Sequence, residues 1–378
     1  MSATSSVVPR PSSVVRRPST VVGTATAAAA LRARSVRRPV ASTPFVQDER
    51  MGKKEKKAKK DAKKAKKEAK KAKKAALAAA AAGPAPEVKV DTQPVDDDFA
   101  KPLGGFTEVL RVGRGFVLAD VDPGSTPNFD GDEQDGDKAL SDGKDELTDL
   151  LERLWAGSTA GSRRSVLLVV QGMDTAGKGG IMRHVVSVNP ENVKATAFRA
   201  PTEEEKAHDW LWRIERALPA HGQLGVFDRS HYEDVLIVRV HDLVPEAVWS
   251  KRYAQINAFE RQVARGGTTI IKVMLHISRD EQKARLMERL ERPDKYYKYN
   301  PGDVDERAFW DDYMEAYQVA LTKCSTVGAA WHVVPADNKW YARLAVQQLL
   351  LEALRGMDLQ WPGADFDIEA EAARLSAT

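Results

Sequence analysis

The chain has one cysteine, Cys324, in 378 residues. An internal disulfide framework is therefore excluded, and a lone thiol with no partner motif nearby reads as a core residue of a protein in a reducing compartment. Apolar runs of the roughly 20 residues that a membrane span needs are missing too. A soluble protein with no membrane partner is expected. Acidic residues are absent from residues 1–47 and lysine from residues 1–50. The histidines, His184, His221, His231 and His241 among them, lack metal-ligand spacing.

The formal charge of +4 hides a strong asymmetry. Residues 1–47 are rich in Ser, Thr, Val, Ala and Pro with several Arg, a composition that suits an organellar transit peptide or sequence upstream of a true start at Met51. The switch from Arg to Lys at that methionine favours the second reading. A cytoplasmic location is then expected, an organelle being the alternative. The segment 53–74 carries 14 Lys in 22 residues with no apolar face, so it stays solvated or forms an exposed helix that can hold polyanions. An Ala-rich linker ending in Gly83-Pro84 follows. Residues 1–98 are accordingly expected to be a disordered extension, and residues 99–378 one folded domain.

Within that domain, the apolar run Val166–Val170 leads into Gly172-Met173-Asp174-Thr175-Ala176-Gly177-Lys178-Gly179-Gly180 and then a helical segment. Strand, glycine-bounded loop and helix in that order make a phosphate cradle, because loop N–H groups and the helix N-terminus both face the anion. Gly172, Gly177 and Gly179 are the expected backbone cradle, with Lys178 as its cation. The usual hydroxyl after the lysine is replaced by Gly179, so a metal must be held otherwise. Asp174, a hard oxygen donor inside the loop, is the expected substitute for Mg²⁺. A second apolar run closes on Asp228-Arg229-Ser230: a carboxylate at a strand end for metal or nucleophile, and a guanidinium fork for phosphate.

Around these motifs, strands near 193–198, 223–227, 268–277 and 331–334 alternate with helices at about 202–218, 245–265, 278–292, 303–321 and 338–355. Such alternation predicts an α/β fold with a doubly wound parallel sheet, ligands lying at the strand C-termini. The acidic, Gly-rich stretch 120–146 fails as a calcium loop and reads as a surface loop, followed by an amphipathic helix from Asp145 to Trp155 with Leu147, Leu150, Leu151 and Leu154 on one face. The segment at about 279–300 is a candidate lid: Arg285, Arg289 and Arg292 follow at spacings of four and three, then Lys295 and Lys298. Trp210, Trp212, Trp310, Trp331 and Trp340 read as core packing.

The loop just quoted, with Leu211-Trp212-Arg213, Asp228-Arg229-Ser230-His231-Tyr232-Glu233 and Pro335-Ala336-Asp337-Asn338-Lys339-Trp340-Tyr341, resembles the second family of polyphosphate kinases from about Phe99 onward. The resemblance implies a thymidylate-kinase-like P-loop kinase fold with a helical lid and Mg²⁺ dependence. It also implies transfer between inorganic polyphosphate and nucleoside mono- or diphosphates, in a dimer or tetramer. Carried over by position, Asp174, Lys178, Asp228 and Arg229 form the catalytic centre, with Asp174 and Asp228 as metal ligands. Arg183, Arg239, Arg285, Arg289 and Arg292 would line the polyphosphate channel. The branch most resembled, acting on both mono- and diphosphates, tends to have Asn where this chain has Asp228, which leaves the acceptor open. An ATP-driven small-molecule kinase and a non-catalytic polyanion-binding protein are the alternatives; Gly179 argues against the first, and the second would leave binding to the Lys-rich tail.

Overall fold

The computed structural model describes residues 105–186 and 192–378. The expectations for residues 1–104, including the start at Met51, the Lys-rich segment 53–74 and the boundary after residue 98, lie outside the described residues.

Five strands, β1 Ser165–Gly172, β2 Val193–Ala197, β3 Leu224–Asp228, β4 Thr268–His276 and β5 Trp331–Pro335, form one sheet in the order β2-β3-β1-β4-β5. All four pairings are parallel. Each of Val166 to Val170 is at most 1 % exposed. Successive residues of a strand face opposite sides, so a run buried without a break means that both faces of the sheet are covered. Burying each such aliphatic side chain contributes roughly 1.5–3 kcal/mol. The chain leaves β1 for β2 and β3 on one side, and later for β4 and β5 on the other. Its reversal point therefore falls at the carboxyl end of β1, where open α/β sheets bind ligands.

The strands fall where the sequence put them, and the helices depart from expectation in three places. The helix expected from Asp145 begins twelve residues earlier, at Glu133, and runs to Thr159. Asp132 starts it: its side chain accepts from the Gln134 and Asp135 N–H groups, and Asp135 returns a bond to the Asp132 N–H, a capping box. The glycines that made this stretch read as loop are contact points instead. A Cβ on Gly136 would lie 2.2 Å from the Trp340 ring, and one on Gly143 would lie 2.6 Å from Gln347 Oε1. They let the helix lie close against Lys339–Arg355.

The segment expected as one helix over 202–218 is two short ones, Glu203–Lys206 and Trp212–Ala217. Between them the Asp209 carboxylate takes the Leu211 N–H at 2.8 Å, a local bond that competes with helix continuation. The third departure is the helix expected over 303–321, which starts at Pro301, tightens over Arg307–Phe309 and resumes as Trp310–Cys324. At the tight turn Arg307 reaches back to the Arg279 carbonyl and Gln282. Cys324 and Trp331 are fully buried, and Trp210, Trp310 and Trp340 are buried; of the five tryptophans expected in the core only Trp212 is half-buried. Among the described residues no helix is long and apolar enough to cross a membrane.

Candidate active site

The loop after β1 is shaped by positive backbone φ at Gly172, Thr175 and Gly177 (151°, 67° and 115°). At Gly172 the demand is steric as well, since a Cβ there would meet the Leu275 carbonyl oxygen at 2.8 Å. Gly177 caps the helix Lys178–His184. Lys178 then folds back, its Nζ donating to the Gly172 carbonyl at 2.7 Å and the Met173 carbonyl at 3.1 Å. Burial pushes its ammonium pKa down and Arg229 adds to this, against Asp174, Asp228 and Glu233. An arriving phosphate would reverse that shift, because anion charge favours the protonated amine.

Asp228 ends β3 in register with Val170 of β1, which sets it beside the loop. Asp174 and Asp228 line the same cavity of about 390 Å³, together with Lys178. The next residue, Arg229, takes a left-handed conformation (φ 64°) and donates Nη2 to Asp174 Oδ1 at 2.9 Å. Non-glycine residues held this way cost of order 1–3 kcal/mol, and such strain gathers at functional sites. Glu233 is the largest charge acting on Arg229, ahead of Asp174, and keeps its guanidinium firmly protonated.

The predicted lid is bolted to the cradle at its base. Gln282 donates to the Asp174 carbonyl at 3.0 Å, and Arg285 to the carbonyls of Thr175, Ala336 and Asp337 at 2.7–2.9 Å. Arg285 borders the cavity, yet its Nη donors hold backbone and its Nε holds Glu281 at 2.7 Å. Arg289 also borders it, at 3.3 Å from Asp303, and Lys295 and Lys298 follow. Arg292 falls outside the lining. It lies past the helix's last turn with extended backbone ahead of Pro293, and pairs with Glu288 and Asp294. Arg239 is also outside, paired with Glu315 and stacked over Trp249. Arg183 lines the cavity.

Sequence reasoning passed over three lining residues, His184, Lys339 and Arg343. The last two are four apart on the helix Lys339–Arg355, so one face of that helix presents both; the spacing was there to be read. In all, eight Lys or Arg line this cavity against three carboxylates.

On the other side of Asp174 lies a smaller cavity of about 160 Å³ with the opposite character. Its carboxylates are Asp174, Glu233, Asp303 and Glu306, and Arg229 is its one cation. Beneath it, Glu260 accepts from Tyr232 Oη at 2.8 Å and from Lys272 Nζ at 2.6 Å, and stands 3.1 Å from His231 Nε2. Burial raises the Glu260 pKa, but Lys272 and His231 outweigh it and hold the carboxyl low. This ion cluster ties the Asp228–Glu233 segment to the core, and nothing in residue spacing announced it.

A polyphosphate kinase 2 family profile matches residues 131–362. The chain is 46 % identical over 248 residues to the AMP/ADP-polyphosphate phosphotransferase of Meiothermus ruber, covering 65 % of this chain and 91 % of that one. It is 40 % identical over 273 residues to the ADP-polyphosphate phosphotransferase of Rhodopseudomonas palustris, covering 68 % and 92 %. The crystal structure of polyphosphate kinase 2 from Arthrobacter aurescens TC1 superimposes with a TM-score of 0.71 at 56 % identity, over 74 % of this chain and 99 % of that one. Sheet order, cradle and these similarities agree: the chain belongs to the polyphosphate kinase 2 family.

Proposed function

We propose that this enzyme transfers a phosphoryl group between inorganic polyphosphate and nucleoside mono- or diphosphates, AMP to ADP and ADP to ATP. The observation that carries the reading is a phosphate cradle opening into a cavity with eight Lys or Arg, long enough in charge for a polyanion and lacking the hydroxyl at Gly179. Polyphosphate lies in that cavity. The acceptor's phosphate meets Arg229 at the boundary with the smaller cavity, whose carboxylates repel the polymer.

Two carboxylates on one cavity suit Mg²⁺, which binds through one or two protein oxygens plus substrate phosphates. Among the described residues no group of three or more His, Cys, Asp or Glu is placed to hold a metal alone. When bound, the ion would neutralise charge on the phosphate oxygens, with Asp174 and Asp228 as its holders. An oxygen of the acceptor's terminal phosphate attacks the end phosphorus of the chain, and the bridging P–O bond breaks with its electrons going to the shortened polymer. The attacking oxygen is already ionised at neutral pH, so no general base is required. The protein positions and neutralises: Lys178 and Arg229 take the developing charge, and the lid cations exclude water.

The same proposal covers a homo-oligomer and a cytoplasmic location. Trp361, Phe366, Ile368 and Leu375, all more than half exposed on the C-terminal arm, support self-association. Product formation from long-chain polyphosphate with AMP or ADP, with Mg²⁺ present and chelated, tests the activity. Turnover with ATP as the required donor and none with polyphosphate would overturn it.

A further inference from the structure

Gln171 is the one polar side chain between the apolar run of β1 and the cradle, and it is 0 % exposed. Its Nε2 donates to Glu233 Oε1 at 3.0 Å, and its Oε1 accepts from Ser230 Oγ at 3.4 Å. Ser230 is equally buried and in turn takes the Tyr232 N–H at 3.2 Å. One amide thus grips the segment after Arg229 at both ends. An amide suits this place because it donates to a carboxylate and accepts from a hydroxyl at once. Leucine would strand both partners, and glutamate would set two carboxylates about 3 Å apart.

We infer that Gln171 is a positioning residue for phosphoryl transfer, acting through Glu233 to hold the Arg229 guanidinium against Asp174 at the mouth of the cradle. Arg229 is then held in place by chemistry from two directions. Asp174 takes Nη2 directly, while Glu233 stands on the wall of the same small cavity as Arg229, in a position that Gln171 fixes. Without Gln171 the carboxylate of Glu233, half-exposed beside the smaller cavity, is free to turn toward solvent or toward Arg229 itself. Either motion changes where the guanidinium meets a phosphate. The inference rests on the reading that Arg229 neutralises phosphate charge.

The test uses the full-length enzyme with polyphosphate and ADP, reading kcat, both KM values and thermal midpoint for Arg229→Ala, Gln171→Met, Glu233→Ala and the Gln171→Met/Glu233→Ala double variant. Arg229→Ala should lose about 10³-fold in kcat/KM, in line with removal of a transition-state charge donor; near-normal turnover there overturns the site reading itself. Given that loss, Gln171→Met should lower kcat about tenfold with the polyphosphate KM unchanged. The double variant should be no slower than Glu233→Ala, since residues acting through one another are not additive. A Gln171→Met enzyme with a lowered midpoint and normal kcat overturns the inference. So does a double variant whose losses multiply. Should Gln171→Met fail to fold, Glu233→Ala decides: a full kcat in that variant overturns the proposal, and a reduced kcat at wild-type midpoint supports it.

Discussion

The two cavities that share Asp174 are built from opposite charges. The larger has eight Lys or Arg and three carboxylates; the smaller has one Arg and four carboxylates. A cleft lined by one sign concentrates the opposite ion and speeds its capture, with a strong dependence on salt. On the proposed reading, a chain of phosphates is drawn to one side of the loop and turned away from the other. Arg229 is the exception that makes the boundary reactive: it is the single cation in the acidic cavity, and it bonds the aspartate common to both. On that reading, the difference teaches that the longer polyanion is kept apart from the nucleotide by the charge of the walls, with Arg229 the cation left to meet the acceptor's phosphate.

The largest break in that arrangement should come at the shared loop. Lys178→Ala or Asp174→Ala is expected to lower kcat/KM by about 10³-fold or more with the thermal midpoint nearly unchanged, and initial rates beside a melting curve check it. Near-normal turnover in either variant would defeat the mechanism. A one-sided effect should follow from the cationic wall. Arg343→Ala, or Lys339→Ala, should raise the KM for polyphosphate about tenfold and leave the KM for ADP alone, with the gap closing at high salt. Equal rises in both KM values would erase the division between the cavities. Asp228→Asn removes one carboxylate from the polymer's side and should shift the AMP-to-ADP preference by a smaller factor, about three- to tenfold, read from kcat/KM for each acceptor. An unchanged ratio would remove Asp228 from acceptor selection.

Much of this was legible in the residues. The cradle shows itself because Gly172, Asp174, Gly177 and Lys178 are adjacent in sequence, and the sheet because unbroken apolar runs such as Val166–Val170 belong to strands buried on two faces. What stayed hidden depends on partners remote in the chain. Gly136 and Gly143 read as loop until Trp340 and Gln347 are packed against them. Arg285 and Arg239 share composition with Arg289, but carbonyls of the loop and Glu315 claim them, a matter of tertiary contact that helical spacing cannot report. Gln171 gave no signal either, since its meaning lies in Glu233, sixty-two positions along.

The smallest expected effect concerns the acidic cavity alone. Burial, with Asp174's charge second, pushes the Asp303 carboxyl up to about 6, against the pull of Arg289 and Arg229. A folded-state pKa above the ordinary 3.8 means that the folded protein binds this proton more tightly than the unfolded chain does. Ionised Asp303 therefore costs stability at pH above about 6, and the cost fades as pH falls toward 4. Asp303→Asn should raise the thermal midpoint by roughly 2–4 °C at pH 7.5, and by little near pH 4. A lower midpoint for the variant at pH 7.5 would mean that the ion pair with Arg289, 3.3 Å away, outweighs crowding against Asp174. The acidic wall would then be a latch for the lid, its charges held by the lid's own arginine, and no longer a surface whose charge is kept free to repel the polymer.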